Sequence, residues 1–367
     1  MSEAEVTRDG LRGERPGREA PVGVQGPRRR RRRRGEQSMV PDAEFTSYYG
    51  RPIIKEPTWS ALDIAGYLFL GGLAGASSVL AAGAAATGRT RLARAGKVGA
   101  LAAISLSTVA LVHDLGRPER FTHMLRVFKP TSPMSVGSWT LAVYAPAAGV
   151  AAVTDVTGWF PRIGRAATGW AALTGPVVAA YTAVLVADTA VPAWHDAHRE
   201  LPFLFVGSAA TAAAGLGLLA APRDETGPAR AVAAYGTALE LIAADRMERR
   251  LGMIAEPYAT GRSGRLMRAG KALTIAGAVT AVALAGRSRA AAALSGAALL
   301  AGSACTRFGV FEAGLASARD PKYTVVPQRR RLDGQASRDG QASRDDQASR
   351  DDQVPLDGRA PREGRTP

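Results

Sequence analysis

Cysteine, histidine, lysine and aromatic residues are scarce in this sequence. The single cysteine, Cys305, excludes a disulfide framework and any iron–sulfur or zinc site that needs several thiolates of this chain. A membrane haem b needs axial histidines within facing helices, but all the histidines lie in predicted loops or at the end of an apolar stretch: His113, His123, His195 and His198. His195 and His198, three positions apart, have no third ligand beside them. We therefore expect no haem and no metal in this chain.

Charge is also scarce in the middle of the 367-residue chain. Residues 1–50 and 319–367 carry 39 of the 79 Asp, Glu, Lys and Arg side chains. The positions between them contain eight apolar stretches, each long enough to cross a bilayer core of roughly 30 Å as a helix. The stretches are roughly 60–86, 96–115, 136–154, 169–191, 203–221, 229–245, 269–286 and 290–311.

These stretches predict an all-α fold, a polytopic bundle of about eight transmembrane helices in the plasma membrane. Backbone groups in lipid must be paired within the chain segment, and no period-two alternation indicates a barrel. Small residues such as Gly75 in the first stretch and Gly175 in the fourth favour close approach of neighbouring helices.

Three regions follow from this pattern. Residues 1–56 are predicted to be polar and mostly disordered, and we hypothesise that residues 1–38 are a mispredicted extension ahead of Met39. Residues 57–318 form the membrane domain, and residues 319–367 are a C-terminal segment that becomes a disordered low-complexity repeat from about residue 329. The seven consecutive arginines at 28–34 are not followed by the apolar segment that an export signal requires. We interpret them as part of a solvated tail rather than a nucleic-acid site. The arginine-rich tails favour both termini in the cytoplasm.

Carboxylates lie in or at the ends of four stretches, where an ionisable group suggests function. Numbered along the chain, the odd stretches begin, and the even stretches end, on the side of the membrane that holds both termini. This parity predicts that four acidic side chains share one end of the bundle with Trp139, which begins the third stretch: Asp63, Asp114, Asp188 and Glu240.

Such an end suits a quinone, which exchanges two electrons and two protons. Carboxylates near the lipid can exchange the protons, and tyrosines in the adjoining stretches can donate a hydrogen bond to a quinone carbonyl. The tyrosine candidates are Tyr67, Tyr144 and Tyr181. The alternative interpretation is that each carboxylate caps a helix or pairs with a loop arginine, as Asp114 could with Arg117.

Four segments closely resemble the NrfD/polysulfide reductase membrane-subunit family. They are SYYGRPIIKEPTW at 47–59, HDLGRPERFTHMLRVFKPTSPMSVGSW at 113–139, AVPAWHDAHRELPFLFVGSA at 190–209 and RFGVFEAGLASARDPKYTVVPQ at 307–328. The similarity extends from about Met39 to Gln328, and it is greatest to the formate-dehydrogenase-associated branch.

The resemblance implies a membrane subunit without haem or metal of its own that exchanges electrons with menaquinone or another quinone, bound as a substrate. The implied partners are a ferredoxin-like iron–sulfur subunit and a molybdopterin or tungstopterin catalytic subunit, as in a formate dehydrogenase or polysulfide reductase complex. The implied quinone pocket lies near Asp114 and Gly116, with Asp63 or Trp59 early in the first stretch and Tyr181 in the fourth.

Within this pocket, we expect Asp114 to exchange protons and Tyr181 and His113 to form hydrogen bonds. Asp188, Trp139 and Glu240 are predicted to support the same end. Opposite charge would help the partner to dock on the loop after the second stretch, where the basic residues are Arg117, Arg120, Arg126 and Lys129.

Two other functions fit an eight-helix protein with intramembrane carboxylates. A proton-coupled transporter is one, although the first and second halves show no convincing internal repeat. A passive anchor that holds an enzyme at the membrane without touching quinone is the other.

Overall fold

The structure, a computed structural model, describes residues 53–117 and 119–332 and two short strands near the N-terminus. The strands, β1 (Glu5–Thr7) and β2 (Gly10–Arg12), pair antiparallel with Val6 opposite Leu11. The chain divides into two compact units, Met1–Pro321 and Lys322–Pro367, and in the second unit residues 322–332 are helical. The hypothetical extension 1–38, apart from the two strands, and the tail from residue 333 lie outside the described residues.

The first unit is a bundle of long helices joined by short ones. The long helices are α1 (Ala61–Ala86), α2 (Thr90–Asp114), α4 (Pro133–Thr157), α5 (Pro161–Ala187), α7 (Leu201–Ala220), α8 (Gly227–Leu251), α10 (Gly261–Ala283) and α11 (Arg289–Arg319). The short helices are α3 (Glu119–Met124), α6 (Pro192–Asp196) and α9 (Glu256–Ala259), with 3₁₀ turns at Arg223–Glu225 and Gly252–Ala255. The predicted all-α, polytopic bundle is confirmed.

Local sequence sets where these helices begin. The hydroxyl of Ser60 accepts a hydrogen bond from the Asp63 backbone N–H at 3.4 Å, and Ser132 and Ser288 cap α4 and α11 in the same way. Proline occupies the first turn of α4, α5, α7 and α8, where its missing N–H has no helical acceptor to lose. The starts of these six helices are therefore marked in the local sequence.

The predicted count of eight spans is corrected to seven among the described residues. Seven of the long helices are long and apolar enough to cross a membrane. The exception is α8, which contains the predicted sixth span 229–245 and is 25 residues long. Its charged side chains, among them Arg230, Glu240 and Asp245, lower its hydropathy. It nevertheless packs against α7 and α10 as a member of the bundle.

Helices cross at paired glycines, as the small-residue pattern predicted. A Cβ atom added at Gly75 of α1 would lie 2.2 Å from the carbonyl oxygen of Gly175 on α5. Gly215 of α7 and Gly296 of α11 make the equivalent approach, where an added Cβ would be 2.7 Å from a carbonyl oxygen. Because any side chain would separate these backbones, the glycines fix the distances between helices. Gly66 of α1 and Gly169 of α5, by contrast, face open space.

A fully buried tryptophan connects the middle of the chain to its last long helix. Trp194 of α6 donates from its indole nitrogen to the Val310 carbonyl at 2.8 Å and stacks on Trp59 with ring centroids 5.9 Å apart. A Cβ at Gly314 would overlap the indole ring. The connection between α5 and α7 is thus anchored both on α11 and on the segment that precedes α1.

Candidate functional site

The start of α1, the end of α2 and α6 meet at one end of the bundle, which we call the Asp63 end. Asp63 lies in the first turn of α1, and its carboxylate is 3.0 Å from the Nδ1 atom of His113 on α2. The Asp63 side chain is 17% exposed, whereas that of His113 is 77% exposed. The pair therefore joins a mostly enclosed carboxylate to an imidazole in contact with solvent.

Asp114 occupies the adjacent position. Its Oδ1 atom accepts a hydrogen bond from the backbone N–H of Ser60, the residue that caps α1, at 3.2 Å. Gly116 follows with a φ of 66°, a left-handed conformation that glycine adopts without strain, and its N–H donates to the His113 carbonyl. The predicted loop thus turns sharply after α2 and holds the start of α1 in place.

Two buried tyrosines lie one turn deeper. The hydroxyl of Tyr67, four residues after Asp63 and hence on the same face of α1, forms a hydrogen bond with the hydroxyl of Tyr181 on α5. Gly137 of α4 leaves room for the Tyr181 ring, because an added Cβ would be 2.3 Å from it. The backbone carbonyl of Tyr67 accepts from the Ser107 hydroxyl at 3.2 Å. Hydroxyl donors from α1 and α5 therefore converge here.

The remaining predicted residues at this end are more peripheral. Asp188 follows the last residue of α5 and is exposed. Trp139 is partly exposed and packs edge-to-face on Phe128, with ring centroids 6.3 Å apart. Neither forms a hydrogen bond or a ring contact with the two tyrosines in the part of the chain that the structure describes. Both predicted residues lie beside the site rather than in it.

The prediction that Glu240 shares the Asp63 end is wrong. Glu240 is buried halfway along α8, where its carboxylate accepts hydrogen bonds from Thr306 of α11 and Thr211 of α7. The apolar stretch ends at residue 245, but the helix continues to Leu251, and these additional residues place Glu240 at mid-depth.

An ion pair fixes the start of α7 at the Asp63 end. Both carboxylate oxygens of Glu200 accept from Arg250, at 2.6 and 2.5 Å. These hydrogen bonds hold the pKa of Glu200 below its usual range. Since α8 ends beside the start of α7, antiparallel packing of the two helices is stabilised at this point.

The predicted docking residues are on the surface of this end. Arg117, Arg126 and Lys129 are exposed, while the side chain of Arg120 lies outside the described part. They occupy α3 and the segments around it, between α2 and α4. The structure therefore leaves the described cations accessible to a partner.

No group of three or more potential metal ligands occurs among the described residues. His195 and His198 lie near each other, with ring centroids 6.2 Å apart, but the Nδ1 atom of each is close to a backbone carbonyl, those of Ala187 and His195. Their geometry is that of polar residues ordering a loop.

Two notable side chains were left out of the site predicted from the sequence. Tyr67 had been named as a possible hydrogen-bond donor but was not placed in the site, although its spacing of four from Asp63 was a usable signal. Arg307, a fully buried cation within the last apolar stretch, was overlooked. A basic residue inside a predicted span would have identified it.

Comparison with known proteins agrees with the family resemblance of the four sequence segments, among them the one at 113–139. No curated protein matches the chain. The sequence profile of the NrfD_2 family, described as polysulfide reductase, matches residues 45–319 and so covers three quarters of the chain, including every long helix and the Asp63 end. The chain is a multi-pass membrane protein and belongs to the polysulfide reductase family.

Proposed function

We propose that the chain is the quinone-interacting membrane subunit of a multi-subunit oxidoreductase. It exchanges electrons between a ferredoxin-like iron–sulfur subunit and menaquinone or another quinone of the plasma membrane. The observation that carries this proposal is the succession of groups at the Asp63 end: the Tyr67–Tyr181 hydroxyl pair, the enclosed Asp63 carboxylate and the exposed His113 imidazole.

Each group has a part in the proposed reaction. The Tyr181 hydroxyl donates a hydrogen bond to a quinone carbonyl that enters between α1 and α5, replacing its bond with the Tyr67 hydroxyl. Asp63 passes protons between the quinone oxygen and His113, and His113 exchanges them with water. Asp114, beside this path, is the second proton-exchanging carboxylate and also holds the start of α1. Reduction of one quinone to quinol takes up two electrons from the partner and two protons by this route.

The family supports the partners named here. A molybdopterin or tungstopterin subunit would supply the electrons, and the likeness to formate-dehydrogenase-associated members makes formate oxidation the reaction that we propose for it. Two cytoplasmic termini, with the Asp63 end on the same side, fit the arginine-rich tails.

Quinone binding tests the hydroxyl pair directly. Tyr181→Phe is expected to weaken binding of a soluble menaquinone analogue roughly five-fold, since one hydrogen bond of about 1 kcal/mol is lost. Binding to the purified protein is measured by quenching of tryptophan fluorescence. Tyr144→Phe is the matched control, because its hydroxyl bonds to Ser78 at 2.8 Å away from the Asp63 end. Equal affinities of wild type and Tyr181→Phe would contradict the proposed pocket.

Partner docking is tested by reversing one exposed charge. Arg117→Glu is expected to reduce co-purification of the iron–sulfur subunit several-fold at low salt, because like charges oppose docking of an acidic surface. The measurement is the ratio of the two subunits in affinity-purified native complex. Arg162→Glu, an equally exposed arginine at the start of α5 and so at the other end of the bundle, should leave the ratio unchanged. An unchanged ratio in Arg117→Glu would remove the loop from the docking surface.

A further inference from the structure

A second acid–base centre lies in the half of the bundle formed by α7, α8, α10 and α11. Glu240 is only 4% exposed, and each of its carboxylate oxygens accepts from a hydroxyl. Thr306 donates at 2.7 Å and Thr211 at 3.4 Å. Two helices thus supply hydroxyls that hold a carboxylate at mid-depth. Burying an ionisable group there costs free energy, so its presence indicates a functional site.

A buried guanidinium follows Thr306, the residue that donates to this carboxylate. Arg307, adjacent to Thr306 on α11, is fully buried, with its guanidinium 3.8 Å from the centre of the Phe205 ring. Its Nη2 atom donates to the Phe205 carbonyl at 2.6 Å, but its Nε and Nη1 atoms have no partner among the described residues. A guanidinium has five N–H donors, and buried donors of this kind are usually satisfied by protein or by ordered water.

A cavity of about 250 Å³ reaches Glu240 from the surface. At roughly 30 Å³ per molecule it has room for about eight waters. Thr274 lines it and is fully buried, and the Oγ1 atom of that residue is another buried polar atom without a partner among the described residues. The lining is mostly apolar, but this unsatisfied hydroxyl and the Glu240 carboxylate favour water at the inner end of the cavity. The outer lining carries exposed charges: Glu248, Arg268 and Lys271.

The cavity opens toward the Asp63 end. Tyr258 of α9 lines it, and the hydroxyl of this residue donates to the Ala193 carbonyl of α6 at 2.8 Å. Glu248 lies two residues before Arg250, which pairs with Glu200 at the start of α7. Protons therefore have an entrance on the same side as His113, through different helices.

We propose that Glu240 is a proton-exchange site that takes a proton from water in this cavity and returns it there. The groups that face it are Arg307 from α11, Glu248 from α8, Tyr258 from α9, and Arg268 and Lys271 from α10. The sequence of α7 contributes no charge. Arg307 stabilises the carboxylate form, and loss of the charge by protonation leaves a single buried cation beside α1. This site is separate from the proposed quinone pocket and does not depend on it.

The position of Arg307 gives the site a physical link to the first half of the bundle. A Cβ added at Gly72 of α1 would lie 2.9 Å from the Nη2 atom of Arg307. Gly72 is five residues after Tyr67 on the same helix. Arg307 therefore packs directly against the helix that carries Tyr67.

Infrared difference spectroscopy of the full chain in lipid nanodiscs tests the proposal. As the pH is lowered, the wild type should gain a carboxylic acid C=O band that shifts in D₂O. Glu240→Gln should lack this band, while Asp245→Asn, which changes an exposed carboxylate of the same helix outside the cavity lining, should keep it. A wild-type spectrum identical to that of Glu240→Gln would overturn the proposal, whatever the result for quinone binding.

The route of the proton through the cavity is tested by removing one hydroxyl from the cavity lining. Thr274→Val keeps the side-chain shape but removes the unpartnered hydroxyl, and it is expected to slow hydrogen–deuterium exchange of the Glu240 band at least ten-fold. Thr280→Val, on the same helix but away from the cavity, is the control. Exchange at the wild-type rate in Thr274→Val would overturn access through this cavity.

Discussion

Asp63→Asn is expected to lower quinone-linked turnover about 100-fold, because it removes the proton-transferring group between the tyrosine pair and His113. Asparagine is close to aspartate in size and can still accept a hydrogen bond from the His113 ring, so the protein should assemble normally. The measurement is the rate of quinol formation in membranes containing the complete complex, normalised to the amount of assembled subunit.

Asp188→Asn is the matched control, since this carboxylate lies at the same end of the bundle but is exposed and follows α5. Its turnover should equal that of wild type. Asp114→Asn extends the test, because the asparagine oxygen still accepts from the Ser60 N–H, so any loss of turnover reports proton exchange rather than capping. Wild-type turnover in Asp63→Asn would count against the proton route, and in Asp114→Asn against that carboxylate as a donor.

Gly75→Val is expected to destabilise the bundle by about 3 kcal/mol or more and to prevent accumulation of folded protein. The first atom of any side chain would be 2.2 Å from the Gly175 carbonyl oxygen, and backbone cannot move aside as a flexible side chain can. The folded fraction is measured by size-exclusion chromatography in detergent, followed by thermal unfolding.

Gly83→Ala on the same helix is the control for this change. A Cβ at Gly83 meets nothing within 4 Å, and alanine is the better helix former by about 1 kcal/mol. We expect its thermal stability to equal or slightly exceed that of wild type. If Gly75→Val also unfolds at the wild-type temperature, α1 and α5 do not depend on contact at this crossing.

Much of the fold could be predicted because apolar length is a direct consequence of bilayer thickness. The first and last residues of the helices were harder to predict, since hydropathy marks only the apolar part of a helix. Helix α2 begins at Thr90, six residues before the predicted stretch, and its added turns carry Arg94, which pairs with Asp155 of α4 at 2.9 Å. Charged helix ends of this kind are invisible to a search for apolar residues.

The sequence predicted which helix ends form the candidate site, but not all of the side-chain pairs within it. Parity placed Asp63 and Asp114 together, and the structure joins them through His113 and Ser60. The pairing of Tyr67 with Tyr181 could not be predicted, because it depends on the distance and rotation of α1 against α5. Those are set by glycines whose contact partners the sequence alone does not identify.

The anchorage of Trp194 has a consequence for biosynthesis. Its acceptor, the Val310 carbonyl, lies 116 positions further along the chain, and the adjoining Ala193 N–H donates to Ser317. As the chain emerges from the ribosome, the indole remains without its native acceptor until the last long helix has been made. Closure at this point therefore waits for the synthesis of α11, and a nascent chain stalled before α11 would present an unsatisfied tryptophan to the insertion and quality-control machinery.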